Sequence, residues 1–138
     1  MTDLLAYSPI TLDATSTTPE VRMDFATSHL LIKGESYPEN AAAFWRPILH
    51  TLDNWLREGA SSRKPVELHV ALTYFNSSST KLLFEMFERC NQAALEGRMI
   101  ILHWYHDEDD DISEDFGQEL GVDFTAMTIM LHANLSLC

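Results

Sequence analysis

Cysteine is nearly absent from this chain, with two in 138 residues: Cys90 inside an apolar stripe and Cys138 at the end. That excludes a disulfide framework and a Cys-x-x-Cys metal pattern, and it suits a reducing cytosol. Basic residues are also scarce, nine against 21 acidic ones, for a formal charge of −12. Nucleic acid and anionic membrane surfaces call for clustered Lys and Arg, so neither is expected as a partner, and a basic protein surface fits better. No apolar run approaches the ~18–20 residues of a membrane span, and the start lacks the basic-then-apolar order of a secretion signal. The chain therefore reads as cytoplasmic, with no membrane insertion.

What is present suffices for one domain, because a chain of this length buries roughly two thirds of its unfolded surface. Residues 1–18, Ser/Thr-rich from Ser8 onward, have little to bury and are expected to form a flexible N-terminal arm, with the folded domain over 19–138. Residues 21–25 and 30–34 read as two strands of an antiparallel hairpin joined by a polar spacer. Ser36, Pro38 and Glu39 then sit at the spacing of a capping box and predict a helix start. Its stripe Ala41, Phe44, Trp45, Ile48, Leu52, Trp55 and Leu56 repeats every 3.6 residues and ends before Gly59, with Pro47 inside it as a bend.

Val66, Leu68, Val70, Leu72 and Tyr74 alternate with their neighbours as one apolar strand face, and the C-terminal half should be the better buried. A second helical stripe, Leu83, Met86, Phe87, Cys90 and Ala94, stops at Gly97. Residues 99–105 form a nearly continuous apolar strand, the pattern of a central strand covered on both faces. A short helix over 112–120 and a less regular strand over 123–131 complete the order ββαβαβαβ. Helical crossovers make the later strands parallel, so the fold class is α/β, a single domain with a mixed sheet opened by a hairpin. Functional residues of such sheets gather in the loops leaving the carboxyl ends of the strands, which here means after Phe75 and after Tyr105.

The first of these junctions is Phe75-Asn76-Ser77-Ser78-Ser79-Thr80, where a strand stops in consecutive hydroxyls and a helix begins. Asn76 or a neighbouring serine suits an N-cap. A phosphoacceptor hydroxyl is the other reading, since a phosphate of about −1.5 to −2 charge suits the amides and dipole of a helix N-terminus. Spacing alone leaves cap and switch open. At the second junction, nine of the 21 acidic residues fall between Asp107 and Asp123. A solvated, helix-capping loop is favoured there over a divalent cation site, because the Gly and terminal Glu of a calcium loop are missing. His103 and His106, three apart on a strand, face opposite sides and predict no shared metal. Hydrolase chemistry lacks a GxSxG elbow, and Trp45, Trp55 and Trp104 read as core or interface anchors.

The motifs Gly34-Glu35-Ser36-Tyr37-Pro38-Glu39-Asn40-Ala41, Tyr74-Phe75-Asn76-Ser77-Ser78-Ser79 and Trp104-Tyr105-His106-Asp107-Glu108-Asp109-Asp110 occur in order over residues 17–131. In these the chain resembles the SiaC family of bacterial regulatory phosphoproteins. The resemblance implies a STAS-like fold, similar to anti-sigma-factor antagonists, and a non-catalytic, partner-switching role without a cofactor. It also implies a kinase of the anti-sigma-factor-kinase type, a PP2C-type phosphatase, and a diguanylate cyclase that the unphosphorylated form binds and activates, raising cyclic di-GMP and favouring biofilm formation. By the same resemblance Ser77, directly after Asn76, is the favoured phosphoacceptor, with Ser78, Ser79 and Thr80 as the lesser candidates. Asn76, Ser78 and Ser79 would support the phosphate. Glu35, Ser36, Tyr37, Pro38, Glu39 and Asn40, with Tyr105, Asp107, Glu108, Asp109 and Asp110, would offer partner surfaces. An adaptor with a different effector, and a small metal-binding protein using the acidic loop, are the alternatives.

Overall fold

The computed structural model describes residues 7–135, so the start of the expected arm and Cys138 lie outside the described residues. Its elements are β1 (Ile10–Leu12), β2 (Glu20–Asp24), β3 (His29–Ser36), α1 (Ala41–Glu58), β4 (Val66–Phe75), α2 (Ser77–Leu95), β5 (Ile100–Tyr105), α3 (Asp111–Asp123) and β6 (Thr128–His132). The six strands form one sheet in sequence order. β1, β2 and β3 pair antiparallel, and β3 through β6 pair parallel. This is the mixed α/β sheet expected, with one strand added at its edge. Ile10–Leu12 falls within the segment expected to be an irregular arm, yet it pairs with Val21, Arg22 and Met23. Three further contacts hold the segment: Asp13 bonds Arg22 at 2.8 Å, Tyr7 packs edge-on against Phe25, and the Tyr37 amide donates to the Thr17 carbonyl. Tertiary pairing overrides a composition poor in apolar residues.

Each parallel step from β3 to β6 moves to the next neighbour in the same direction, so right-handed crossovers place α1, α2 and α3 on one face of the sheet. Burial agrees. Val66, Leu68, Val70, Ile100, Leu102 and Trp104 join Trp45, Leu52, Leu83, Phe87 and Leu120 in a single core. The alternate residues Glu67, His69, Ile101 and His103 lie on the opposite face, which no described helix covers. The expectation that β5 is covered on both faces is thus corrected. Its apolar run is continuous because β5 is flanked by strands on both sides, and the open-face residues are shielded by one another.

Two local features depart from simple alternation. Gly34, at φ +123°, sits at a register shift between β3 and β4: Gly34 pairs with Leu72 but Glu35 pairs with Tyr74, leaving Thr73 as the extra residue of a bulge. Beyond it the facing flips. Phe75 turns toward Trp104 and Phe116, while Tyr74 is 52% exposed, so the end of β4 is its less buried part rather than the better buried one. The bulge also carries β3 on to Ser36, which is therefore not the cap of α1. That cap is Asn40, whose Oδ1 accepts the Ala43 N–H at 3.0 Å. The stripe of α1 is buried as its period requires, except half-buried Phe44, and the helix runs unbroken through Pro47 to its cap at Gly59.

Cys90 is fully buried on α2, and desolvation pushes its thiol up to about 12. Alkylation at mild alkaline pH is therefore expected to leave Cys90 unlabelled in the folded protein and to label it fully in denaturant, read by mass spectrometry of the Cys90 peptide. Labelling at equal rates in both states would contradict this core placement.

Candidate functional site

The junction between β4 and α2 separates the hydroxyls that the sequence could not rank. Asn76 leaves the strand in extended conformation and caps α2, its Oδ1 accepting the Ser79 N–H at 2.9 Å. The Asn76 carbonyl takes both the amide and the hydroxyl of Thr80, each at 2.9 Å. Ser79 is fully buried, its Oγ 2.7 Å from the Ser36 Oγ, which in turn accepts the Trp45 Nε1–H at 3.1 Å. This buried knot joins the ends of β3 and β4 to the first turns of α1 and α2. Ser79 and Thr80 are thus occupied in structure. Ser77 and Ser78 are exposed, and among the described residues neither hydroxyl has a hydrogen-bond partner. The first turn of α2 holds no acidic residue, and exposed Lys81 follows Ser77 by four positions, one helical turn away.

Of the expected partner surface, Glu35, Tyr37, Glu39 and Asn40 are exposed and Pro38 is half-buried, but Ser36 is interior. Tyr37 meets Tyr74 edge-on, ring centres 5.6 Å apart, and both rings reach solvent beside the Asn76 cap of α2. Tyr74 was missed in the sequence because alternation places it in the core; the bulge at Gly34 moves it out.

In the acidic loop, Asp107 accepts the Asp109 amide at 3.0 Å, and Asp110 caps α3 by accepting the Ser113 amide at 3.0 Å. The capping role is the one the sequence favoured. Asp107, Asp109 and Asp110 line a shallow hollow with Leu72 and Thr73, which sets the acidic loop against the C-terminal part of β4. Tyr105 is not on this surface: it is 5% exposed, with its hydroxyl 2.8 Å from His69 Nδ1 on the open sheet face. His103 and His106 also part company, since His103 bonds Glu67 and His132, and His106 bonds the Asp107 carbonyl.

The open face holds a group that the sequence did not reveal. His29, Glu67, His69, His103 and His132 come from β3, β4, β5 and β6, and parallel register sets Leu31, His69, His103 and Met130 in one row, with His29 and Glu67 in the next. Glu67 Oε1 lies 3.0 Å from His103 Nε2, which holds the carboxyl below its usual range. Burial pushes the imidazoles of His69 and His132 down. The local signal is polar residues at alternate positions of apolar strands, and only knowledge of the register joins them.

A family model, that of the SiaC family regulatory phosphoprotein, matches residues 12–134. The structure is similar to apo-SiaC from Pseudomonas aeruginosa, with a TM-score of 0.84 at 25% identity, covering 92% of this chain and all of that one. It is likewise similar to SiaC in the crystal structure of the diguanylate cyclase SiaD with its activator SiaC from the same organism, with a TM-score of 0.79 at 26% identity over 89% of this chain and 99% of that one. An uncharacterized protein of Pseudomonas aeruginosa strain UCBPP-PA14 is 26% identical over 121 residues, 85% of this chain and 94% of that protein. The chain belongs to the SiaC family of regulatory phosphoproteins.

Proposed function

We propose that this protein is a non-catalytic partner switch whose unphosphorylated form binds and activates a diguanylate cyclase, and that phosphorylation of Ser77 turns it off. The cyclase is supported by the related SiaC captured with its cyclase SiaD, at 26% identity over nearly the whole of both chains. One structural observation carries the choice of Ser77 over Ser79 and Thr80: it is an exposed hydroxyl with no hydrogen-bond partner among the described residues, at the first position of a 19-residue helix in which Ser79 and Thr80 are tied down and Ser78 is the remaining exposed candidate. A phosphate there meets the positive end of the helix dipole and can reach Lys81, so the fold tolerates it. It would also place about two negative charges beside the exposed Tyr37–Tyr74 pair, which suits an apolar contact that phosphorylation breaks. A kinase of the anti-sigma-factor-kinase type and a PP2C-type phosphatase would set the ratio of the two forms.

The acidic loop serves this reading as a surface rather than a metal centre. Among the described residues, the carboxylates and imidazoles that converge closely enough to hold an ion are Glu67, His69 and His103.

Incubation with the cognate kinase is expected to add one phosphate to the peptide spanning residues 76–81, localised to Ser77 by fragment-ion mass spectrometry. Ser77→Ala should abolish the addition and keep cyclase binding, while Ser77→Asp should weaken that binding at least tenfold, about 1.4 kcal/mol. Equal binding of the alanine and aspartate forms would leave the serines a purely structural cap and sink the switch.

A further inference from the structure

The face of the sheet that no described helix covers carries a cluster that the proposed phosphorylation switch does not use. Glu67 and His69 stand on one side of β4 and His103 on the adjacent side of β5, each offering a ligand atom within 4.8 Å of the others. Four-coordinate zinc has ligand atoms about 3.3 Å apart for bonds of about 2.0–2.1 Å. Glu67 Oε1 and His103 Nε2, at 3.0 Å, already lie near that spacing. His69 is half-buried and stacks on the His103 ring with centres 4.4 Å apart, so closing the third position takes a side-chain rotation rather than a backbone shift.

The outer nitrogens are held as well. His69 Nδ1 is 2.8 Å from the Tyr105 hydroxyl, which leaves Nε2 as its ligand atom; among the described residues Nε2 has no hydrogen-bond partner. His103 Nδ1 is 2.9 Å from His132 Nε2. Such bonds to the outer nitrogen fix the tautomer of metal-binding imidazoles. His29 Nε2 lies 3.4 Å from the other Glu67 oxygen and flanks the cluster on the β3 side.

We propose that Glu67, His69 and His103 form a binding site for a divalent transition metal of the zinc class on the open face of the sheet, with Tyr105 and His132 orienting the two imidazoles and a water or His29 completing the shell. Binding requires the Nε2 lone pair of His103. When the Nε2–H bond to Glu67 is given up, that proton leaves to solvent and one is taken up at Nδ1, so the neutral imidazole binds through Nε2 with its proton on Nδ1, donated to His132 Nε2, and no net proton is released. The Glu67 carboxylate, released from that hydrogen bond, becomes the anionic ligand. Two neutral imidazoles and one carboxylate suit zinc better than calcium or magnesium, which take oxygen ligands.

The test is isothermal titration of tag-free, full-length protein with Zn²⁺, together with Co²⁺ titration followed by visible absorption. One equivalent should bind, with cobalt giving the strong d–d bands of a four-coordinate site. Glu67→Gln and His69→Gln, both at half-exposed positions, should each weaken binding at least about tenfold, as should His132→Ala through the outer shell. His50→Ala, on the exposed side of α1, should leave it unchanged. Circular dichroism of every variant separates loss of ligand from loss of fold; should His103→Ala fail to fold, the two glutamine variants carry the result. Absence of saturable one-to-one binding by the wild type would overturn the proposal, as would binding undiminished in the double Glu67→Gln, His69→Gln variant. The switch at Ser77 stands or falls separately.

Discussion

Trp104→Ala is expected to lower the unfolding free energy by about 3–5 kcal/mol, a large share of the ~5–15 kcal/mol typical of a domain. The ring is fully buried at the centre of the core. It stacks on Phe116 with centres 5.0 Å apart and meets the edges of Phe75 and Phe87. Its Nε1–H donates to the Ser113 carbonyl at 2.9 Å, fixing the first turn of α3. Gly117 permits this close seating: a Cβ there would come within 2.6 Å of Trp104 Cδ1 and would also strike the Leu131 side chain. Truncation opens a cavity under α3 and removes the hydrogen bond that ties the ring to the helix, two costs that add. The measurement is urea unfolding, with the midpoint falling and the slope unchanged. A loss below about 1 kcal/mol would mean that α3 is not docked through this ring. The functional consequence follows from Asp110, which caps α3. A loosened helix shifts the acidic loop that lies against the C-terminal part of β4.

The elements with strong local periodicity were readable in the sequence. The alternation of Val66, Leu68 and Val70, the stripe from Leu83 to Cys90 and the run over residues 100–105 all became the elements expected, with parallel pairing and connecting helices as anticipated. What failed depended on partners distant in sequence. Ile10–Leu12 has too few apolar residues to declare itself a strand, and it becomes one because β2 offers an edge. Ser36 and Glu39 imitate a capping box, but the hydroxyl is drawn into the core by Ser79 on α2 and by Trp45 further along α1. Tyr74 follows the alternation until one extra residue at the bulge reverses it. The candidate site was legible as a junction, since Asn76 and its hydroxyls mark the stop of a strand and the start of a helix. Which hydroxyl stays free was not, because burial of Ser79 depends on Ser36, 43 residues away. The imidazole cluster was invisible for the same reason, its members being spread from β3 to β6.

Ser36→Ala should cost about 2–4 kcal/mol, far more than loss of a small hydroxyl suggests, because it strands two buried groups that would each be left unsatisfied at about 1–3 kcal/mol. The Ser36 Oγ is the shared partner of the Trp45 N–H and the Ser79 hydroxyl, and Trp45 and Ser79 are 1% and 0% exposed. Ser79→Ala removes one member at the edge of the knot and leaves the Trp45 bond intact, so a smaller loss, about 1 kcal/mol, is expected. Adding Trp45→Phe to Ser36→Ala removes the stranded N–H and should recover part of the stability, giving a favourable coupling in a double-mutant cycle read by denaturant unfolding. Strict additivity would show that the two groups do not depend on each other. The same variants report on selectivity at the proposed switch. With the knot intact, Ser79 reaches a kinase only if the first turn of α2 opens; with Ser36→Ala, opening becomes easier, and phosphate should begin to appear on Ser79 beside Ser77. The knot thus acts on function through local stability: it holds one hydroxyl inside the fold and leaves its neighbour outside.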